Sequence, residues 1–221
     1  MPREPEKYQL LLVEGNNDLH VICNLRDKHQ LPKTFDVKVS NPEGIDALLT
    51  SLPVKLKEEN LRTLGIVVDA DQELYKQWEK VRKQLNSSGY KDIPDFPPAE
   101  GWVYIPSESS ELKRLGVWLM PNNQLPGILE DFVTHLIPPS DNLRTKVEEV
   151  LQEIEDNGLN LYKIPDRTKA LIYTWLAWQK HPGTPMGRAI AQRVLSHDLP
   201  LALMFVKWLQ HLFELSTRQV S

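Results

Sequence analysis

The sequence predicts an α/β fold: a three-layer domain with a mainly parallel sheet, followed by an α-helical C-terminal region. Three observations point to it. Short apolar runs alternate with amphipathic stretches through the first half of the chain. One of those runs, Ile66-Val67-Val68, is continuously β-branched, as suits a strand buried on both faces of a parallel sheet. From about residue 139 onward, apolar residues recur only at helical spacing. The expected division is therefore an α/β domain over residues 1–138 and a helical cap over 139–221, packed on that domain or building a dimer interface.

Tyr8-Gln9-Leu10-Leu11-Leu12-Val13 reads as the first strand. Glu14-Gly15-Asn16-Asn17-Asp18 then permits a tight turn, and Leu19, Val21, Ile22 and Leu25 give an amphipathic helix. Phe35 to Val39 makes a second strand. Ser40-Asn41-Pro42-Glu43-Gly44 carries helix-start residues, and the helix after it runs through Ile45, Leu48, Leu49 and Leu52 until Pro53. Leu64 to Val68 is the third strand, ending in Asp69-Ala70-Asp71. Gln72 to Leu85 follows as a charged helix with Leu74, Trp78, Val81 and Leu85 on its apolar stripe.

Asn86 to Glu100, with three prolines, reads as a surface loop. Gly101 to Pro106 and Gly116 to Pro121 are two short strands. Each ends in proline, which places them as a hairpin at the sheet edge. Ile128-Leu129-Glu130-Asp131-Phe132-Val133 opens another helix. The helical region comprises Asn142 to Asp156, Thr168 to Gln179, Met186 to Leu195, and Leu199 to Phe213. In the last, Leu201, Phe205, Trp208 and Leu212 form a buried stripe. Lys207, Gln210 and His211 interrupt that apolar segment, and it falls short of the ~20 residues a bilayer span requires.

Composition sets the outer limits. Hydrophobic residues make up 41% and charged residues 25%, the balance of an ordinary globular protein. The net charge of -4 excludes a global basic field, so any contact with nucleic acid is local or metal-assisted. The single cysteine, Cys23, excludes an internal disulfide and a zinc cage, and it falls on a helix face where it is expected to be buried and inert. The first residues, Met1 to Lys7, lack the apolar stretch of a secretory signal, so a reducing cytoplasmic location is expected.

Carboxylates at strand ends carry the chemistry. Side chains alternate along a strand, so Asp69 and Asp71 point the same way if the extended geometry persists, with Cα atoms about 6 to 7 Å apart. Two such charges repel, and no neighbouring Arg or Lys compensates them; Mg²⁺ or Mn²⁺ is the natural partner. Glu14 sits at the end of another apolar strand. Parallel sheets bind ligands beyond the carboxyl ends of their strands, so Glu14 meets the aspartate pair if the first and third strands are neighbours. Taken alone, Asp18, Glu130 and Asp131 are acidic residues that favour a helix N-terminus.

Glu14-Gly15 with Asp18 after one strand, and Asp69-Ala70-Asp71 after another, together resemble the Toprim domain of primases, topoisomerases, RecR-type proteins, ribosomal-RNA maturases and OLD-family nucleases. Gly116 to Pro121 leading to Leu129-Glu130-Asp131 is similar to small stand-alone Toprim-like proteins of unassigned function, which extends the likeness to most of the chain. The resemblance implies a Toprim-like fold and a role for Glu14 as general acid or base and metal neighbour. It implies Asp69 and Asp71 as a metal-binding pair, with Asp18 and Glu130 as further ligands of the OLD-like branch. Glu73 departs from the glycine that several members carry after the pair. Zinc-binding cysteines of a primase and the tyrosine-bearing domain of a topoisomerase are missing. The ATPase usually fused to an OLD-like domain is missing too, so a separate ATPase partner is implied.

Metal-dependent nuclease chemistry on DNA or RNA follows from that set, with Lys169 as the cation that steadies transition-state charge and, as the plainer reading, a solvated lysine of a helix's first turn. The alternative is a non-catalytic module that keeps the carboxylates for metal, nucleotide or partner binding in a repair or defence assembly.

Overall fold

The computed structural model describes residues 7–42 and 44–215. Residues 1–6, Glu43 of the helix-start turn and residues 216–221 lie outside these residues. Five strands form one sheet: β1 (Tyr8–Val13), β2 (Asp36–Val39), β3 (Leu61–Asp69), β4 (Trp102–Tyr104) and β5 (Arg114–Met120). Their order is β2-β1-β3-β5-β4, with only the β4/β5 pair antiparallel. Alternation along each strand divides the interior in two. Leu10, Leu12, Leu64, Ile66, Val68, Val117 and Leu119 face one side, and Leu11, Val13, Val67, Trp118 and Met120 face the other. Both faces are buried, which is why these strands read as unbroken apolar runs.

The first side is covered by α2 (Ile45–Leu56) and α3 (Leu74–Ser87), through Leu48, Leu52, Trp78 and Val81. The second is covered by α1 (Asn16–Lys28) together with the helical region: α4 (Leu129–Thr134), α5 (Asn142–Asp156), α6 (Arg167–Ala177), α7 (Met186–Ala191) and α8 (Pro200–Phe213). The result is a three-layer α/β arrangement. One continuous apolar cluster runs from Leu11 and Ile22 through Trp175 and Ile190 to Phe205 and Leu212, so the late helices share the core of the sheet.

Helix α8 lies close to the strands because two glycines make room for it. Gly65 and Gly116 are paired in register on β3 and β5. A Cβ at either position would stand 2.8 Å from a methyl carbon of Leu212. Any larger residue there forces α8 outward and opens a gap in the core.

Several boundaries differ from the sequence reading. β5 is an internal strand between β3 and β4, and of this pair β4 alone lies at an edge, β2 forming the opposite one. Pro121 lies just past the end of β5, beyond the last ladder partner Met120, so it breaks no pairing that the strand needs. α2 continues through Pro53 to Leu56, held by the burial of Leu48, Leu49 and Leu52. α3 starts at Leu74 because Asp71 takes a left-handed φ of 51°. α7 ends at Ala191, shortly before Arg193 turns left-handed at φ 60°. Cys23 is half-buried, and burial raises its thiol pKa, the direction of an unreactive thiol. Among the described residues no helix is long and apolar enough to cross a membrane.

Candidate functional site

Because β1 and β3 are neighbours and Val13 pairs with Val67, the residue after β1 arrives beside the end of β3. There the Asp69 backbone N–H donates to Glu14 Oε1 at 2.6 Å. The Ile45 backbone N–H at the start of α2 donates to the same carboxylate. Asp69 reaches onward: its Oδ1 accepts from the Leu129 N–H at 3.0 Å, at the start of α4. Asp18 stands in the first turn of α1 and is only 8% exposed. Its carboxylate accepts from backbone N–H groups of Gly15 and of Asp18 itself, so it does cap its helix. Glu130, in the first turn of α4, is 7% exposed.

Glu14, Asp18, Asp69 and Glu130 line one cavity of about 480 Å³ at the carboxyl ends of β1 and β3. Lys169, from α6, is the single cation among the described residues that line it. Burial dominates the titration of this group. It pushes Glu14 up to about 7, with the Asp69 and Ile45 N–H groups pulling the other way and Asp71 and Asp46 adding repulsion. Burial and then the Glu14 charge push Asp18 up to about 7. Asp69 rises to about 9, from burial followed by Asp18, Glu14, Glu130 and Asp71. Burial raises Glu130 too, opposed by its own N–H and by Lys169. Asp18 and Asp69 are thus raised in part by the other carboxylates of the cavity.

The remaining acidic candidates fall elsewhere. Asp71 does not share the direction of Asp69: the strand ends at Asp69, and the left-handed backbone at Asp71 turns the chain so that its carboxylate accepts from Gln77 Nε2. Asp71 lines a second cavity, on the other side of Lys169, with Gln77, Asp131 and Asp166. Asp131 closes the start of α4, its Oδ2 accepting from the Ile128 N–H at 2.8 Å. The adjacent pair Glu130 and Asp131 is therefore split, one carboxylate to the cavity and one to the helix cap. Lys169 is half-exposed and lies 3.5 Å from Asp166.

Among the described residues, no group of three or more His, Cys, Asp or Glu side chains is already arranged as a metal shell. The backbone bonds of Glu14 and Asp69 leave acceptor capacity, since each carboxylate offers about four lone-pair positions.

Two residues at the cavity margin escape sequence reasoning. Asn17 lines the cavity and donates from Nδ2 to the Tyr173 hydroxyl of α6 at 3.1 Å. They are 156 positions apart, and no local pattern links them.

No curated protein and no solved structure matches the chain. A family model described as "Protein of unknown function (DUF3226)" matches residues 8–214, nearly the whole described structure. The chain belongs to this DUF3226 family.

Proposed function

We propose that the protein is a divalent-metal-dependent enzyme of phosphodiester hydrolysis or nucleotidyl transfer on DNA or RNA, of the Toprim type that its motifs resemble. The observation that carries this reading is the cavity. Four carboxylates, one just past β1 and the others from β3, α1 and α4, gather there against one lysine. Such a set is costly as anions and suits a hard cation with oxygen ligands, Mg²⁺ or Mn²⁺. Glu14, Asp18, Asp69 and Glu130 would hold it. A divalent ion bound there supplies Lewis-acid polarisation of a phosphoryl oxygen and lowers the pKa of attacking water.

The chain's own groups do the rest. Glu14, held between the Asp69 and Ile45 N–H groups and poised near neutrality, is suited to take or give a proton at its carboxylate. Lys169 places an ammonium at the wall of the same cavity, where it can offset charge on a phosphate. Asp71 acts through its field on Glu14 and Asp69.

The net charge of -4 and the single lining cation favour a second reading, a non-catalytic metal- or nucleotide-binding module. One experiment separates the steps. Thermal melting of wild type and Asp69→Asn with and without millimolar Mg²⁺ or Mn²⁺ reads the ion directly, because a ligand of the folded state stabilises it by mass action. A rise in wild type alone supports the metal site. Cleavage of DNA or RNA by wild type, absent in Asp69→Asn, supports the enzyme. A melting shift without cleavage favours the binding module.

A further inference from the structure

Tyr173 stands one helical turn after Lys169 on α6, and residues four apart share a helix face. Its ring is half-exposed, and its hydroxyl accepts from Asn17 Nδ2 at 3.1 Å. Burial and then the Glu130 carboxylate raise its pKa, while the Asn17 bond and Lys169 lower it; the hydroxyl therefore lies in the field of both cavity residues. A phenol that accepts one bond still has a proton to donate. Asn17, which lines the cavity, fixes the side from which the oxygen accepts and so restricts where that proton points.

We propose that Tyr173 is a substrate-binding residue that donates its phenolic O–H to a phosphate oxygen of the nucleic-acid strand at the mouth of the carboxylate cavity, with Asn17 as the positioning residue that orients it. This rests on the phosphodiester reading above. Lys169 supplies a compact, mobile point charge to the same phosphate region, whereas Tyr173 supplies a directional bond. The apolar ring adds a face beside the strand without a second charge to desolvate.

Binding of a short fluorescein-labelled single-stranded oligodeoxynucleotide, followed by anisotropy in Ca²⁺, tests the assignment beside Mn²⁺-dependent melting. Steady-state kinetics with bis(p-nitrophenyl) phosphate completes it. Tyr173→Phe, which keeps the ring, is expected to weaken oligonucleotide binding about tenfold, the size of one lost hydrogen bond to a charged group. KM should rise with kcat within about twofold, since a uniform binding contact is removed. Asn17→Ala should move binding the same way by less, and the double variant should be no worse than Tyr173→Phe, because both act through one bond. Melting shifts with Mn²⁺ should match wild type. Equal binding by Tyr173→Phe and wild type, or losses that add in the double variant, overturns the assignment while a preserved Mn²⁺ shift leaves the metal site standing. Absence of both the Mn²⁺ shift and oligonucleotide binding in wild type overturns both readings.

Discussion

At the amino ends of the parallel strands, Arg62 of β3 and Arg114 of β5 both reach the carboxylate of Glu214 after α8, and Arg114 also donates to the His211 carbonyl at 2.7 Å. Glu58 is likewise engaged there, by the Tyr8 hydroxyl and by Lys55 at 2.8 Å. At the carboxyl ends of the same strands, four carboxylates share one cavity with one lysine. Charge at the first end is matched and, apart from Arg114, about half-exposed, so it fastens α8 to the sheet at little electrostatic cost. At the second end it is buried and met by a single lysine, so burial drives the carboxyl pKa values upward. The ratio of carboxylates to cations separates the two ends.

The largest effect that could break this contrast is expected from the buried end. Asp69→Asn and Glu14→Gln should each lower metal-dependent cleavage by about 10³-fold or more and remove the metal-induced rise in melting temperature, checked by gel assay and calorimetry. At pH 9 without metal, both variants should melt at or above wild type, because a neutral amide replaces a carboxyl that burial and its neighbours disfavour as an anion. A clear loss of metal-free stability would mean that the carboxylates serve mainly as backbone caps.

Next in size is the pH dependence of the metal-free protein. Glu14, Asp18 and Asp69 have folded pKa values raised to about 7, 7 and 9, against about 4 for an unfolded carboxyl. Between these limits the folded state binds more protons than the unfolded one, so their stabilising contribution is complete below pH about 4 and is lost as pH climbs through the folded values. Melting temperature should therefore fall from pH 5 to pH 9, by about 2–4 °C for each kcal/mol lost. Saturating Mg²⁺ or Mn²⁺ should flatten the fall, since ion and protons compete for the same oxygens. A metal-free profile without slope would remove the contrast between the two ends.

Smaller effects sharpen it. Asp71→Asn should retain most of the metal-induced melting shift and lose activity less than about tenfold, because Asp71 acts on the cavity across space and does not line it. At the opposite end, Arg114→Ala, which uncovers a largely buried guanidinium contact, should cost about 1–2 kcal/mol. Arg62→Ala, half-exposed, should cost less than about 1 kcal/mol. Neither should alter the response to metal.

Much of this architecture is legible in the sequence. The alternation of apolar runs and amphipathic stretches gives the strands and helices in their right order, and the interval Asn142 to Asp156 matches α5 at both ends. Convergence of Glu14 with Asp69 follows once β1 and β3 are placed side by side. The internal position of β5 is not legible, because a proline just past a strand looks the same in sequence whether the strand is central or at an edge. Nor is the turning away of Asp71, which depends on a positive φ at a residue type that adopts it without glycine. The split of Glu130 from Asp131 depends on which carboxylate closes the helix box. Contacts such as Asn17 with Tyr173 arise only when α6 docks, and nothing local to either residue encodes them.

The origin of the cavity walls has a consequence for how the protein is made. All four carboxylates lie within the first 130 residues, whereas Lys169 arrives with α6 and the last clasp on the sheet, Leu212 over Gly65 and Gly116, comes with α8. During synthesis from the N-terminus, a nascent chain emerging from the ribosome presents the acidic set before its one resident counter-charge and before one face of the sheet is roofed. On the metal-dependent reading proposed above, an ion captured at that moment would act as a folding template.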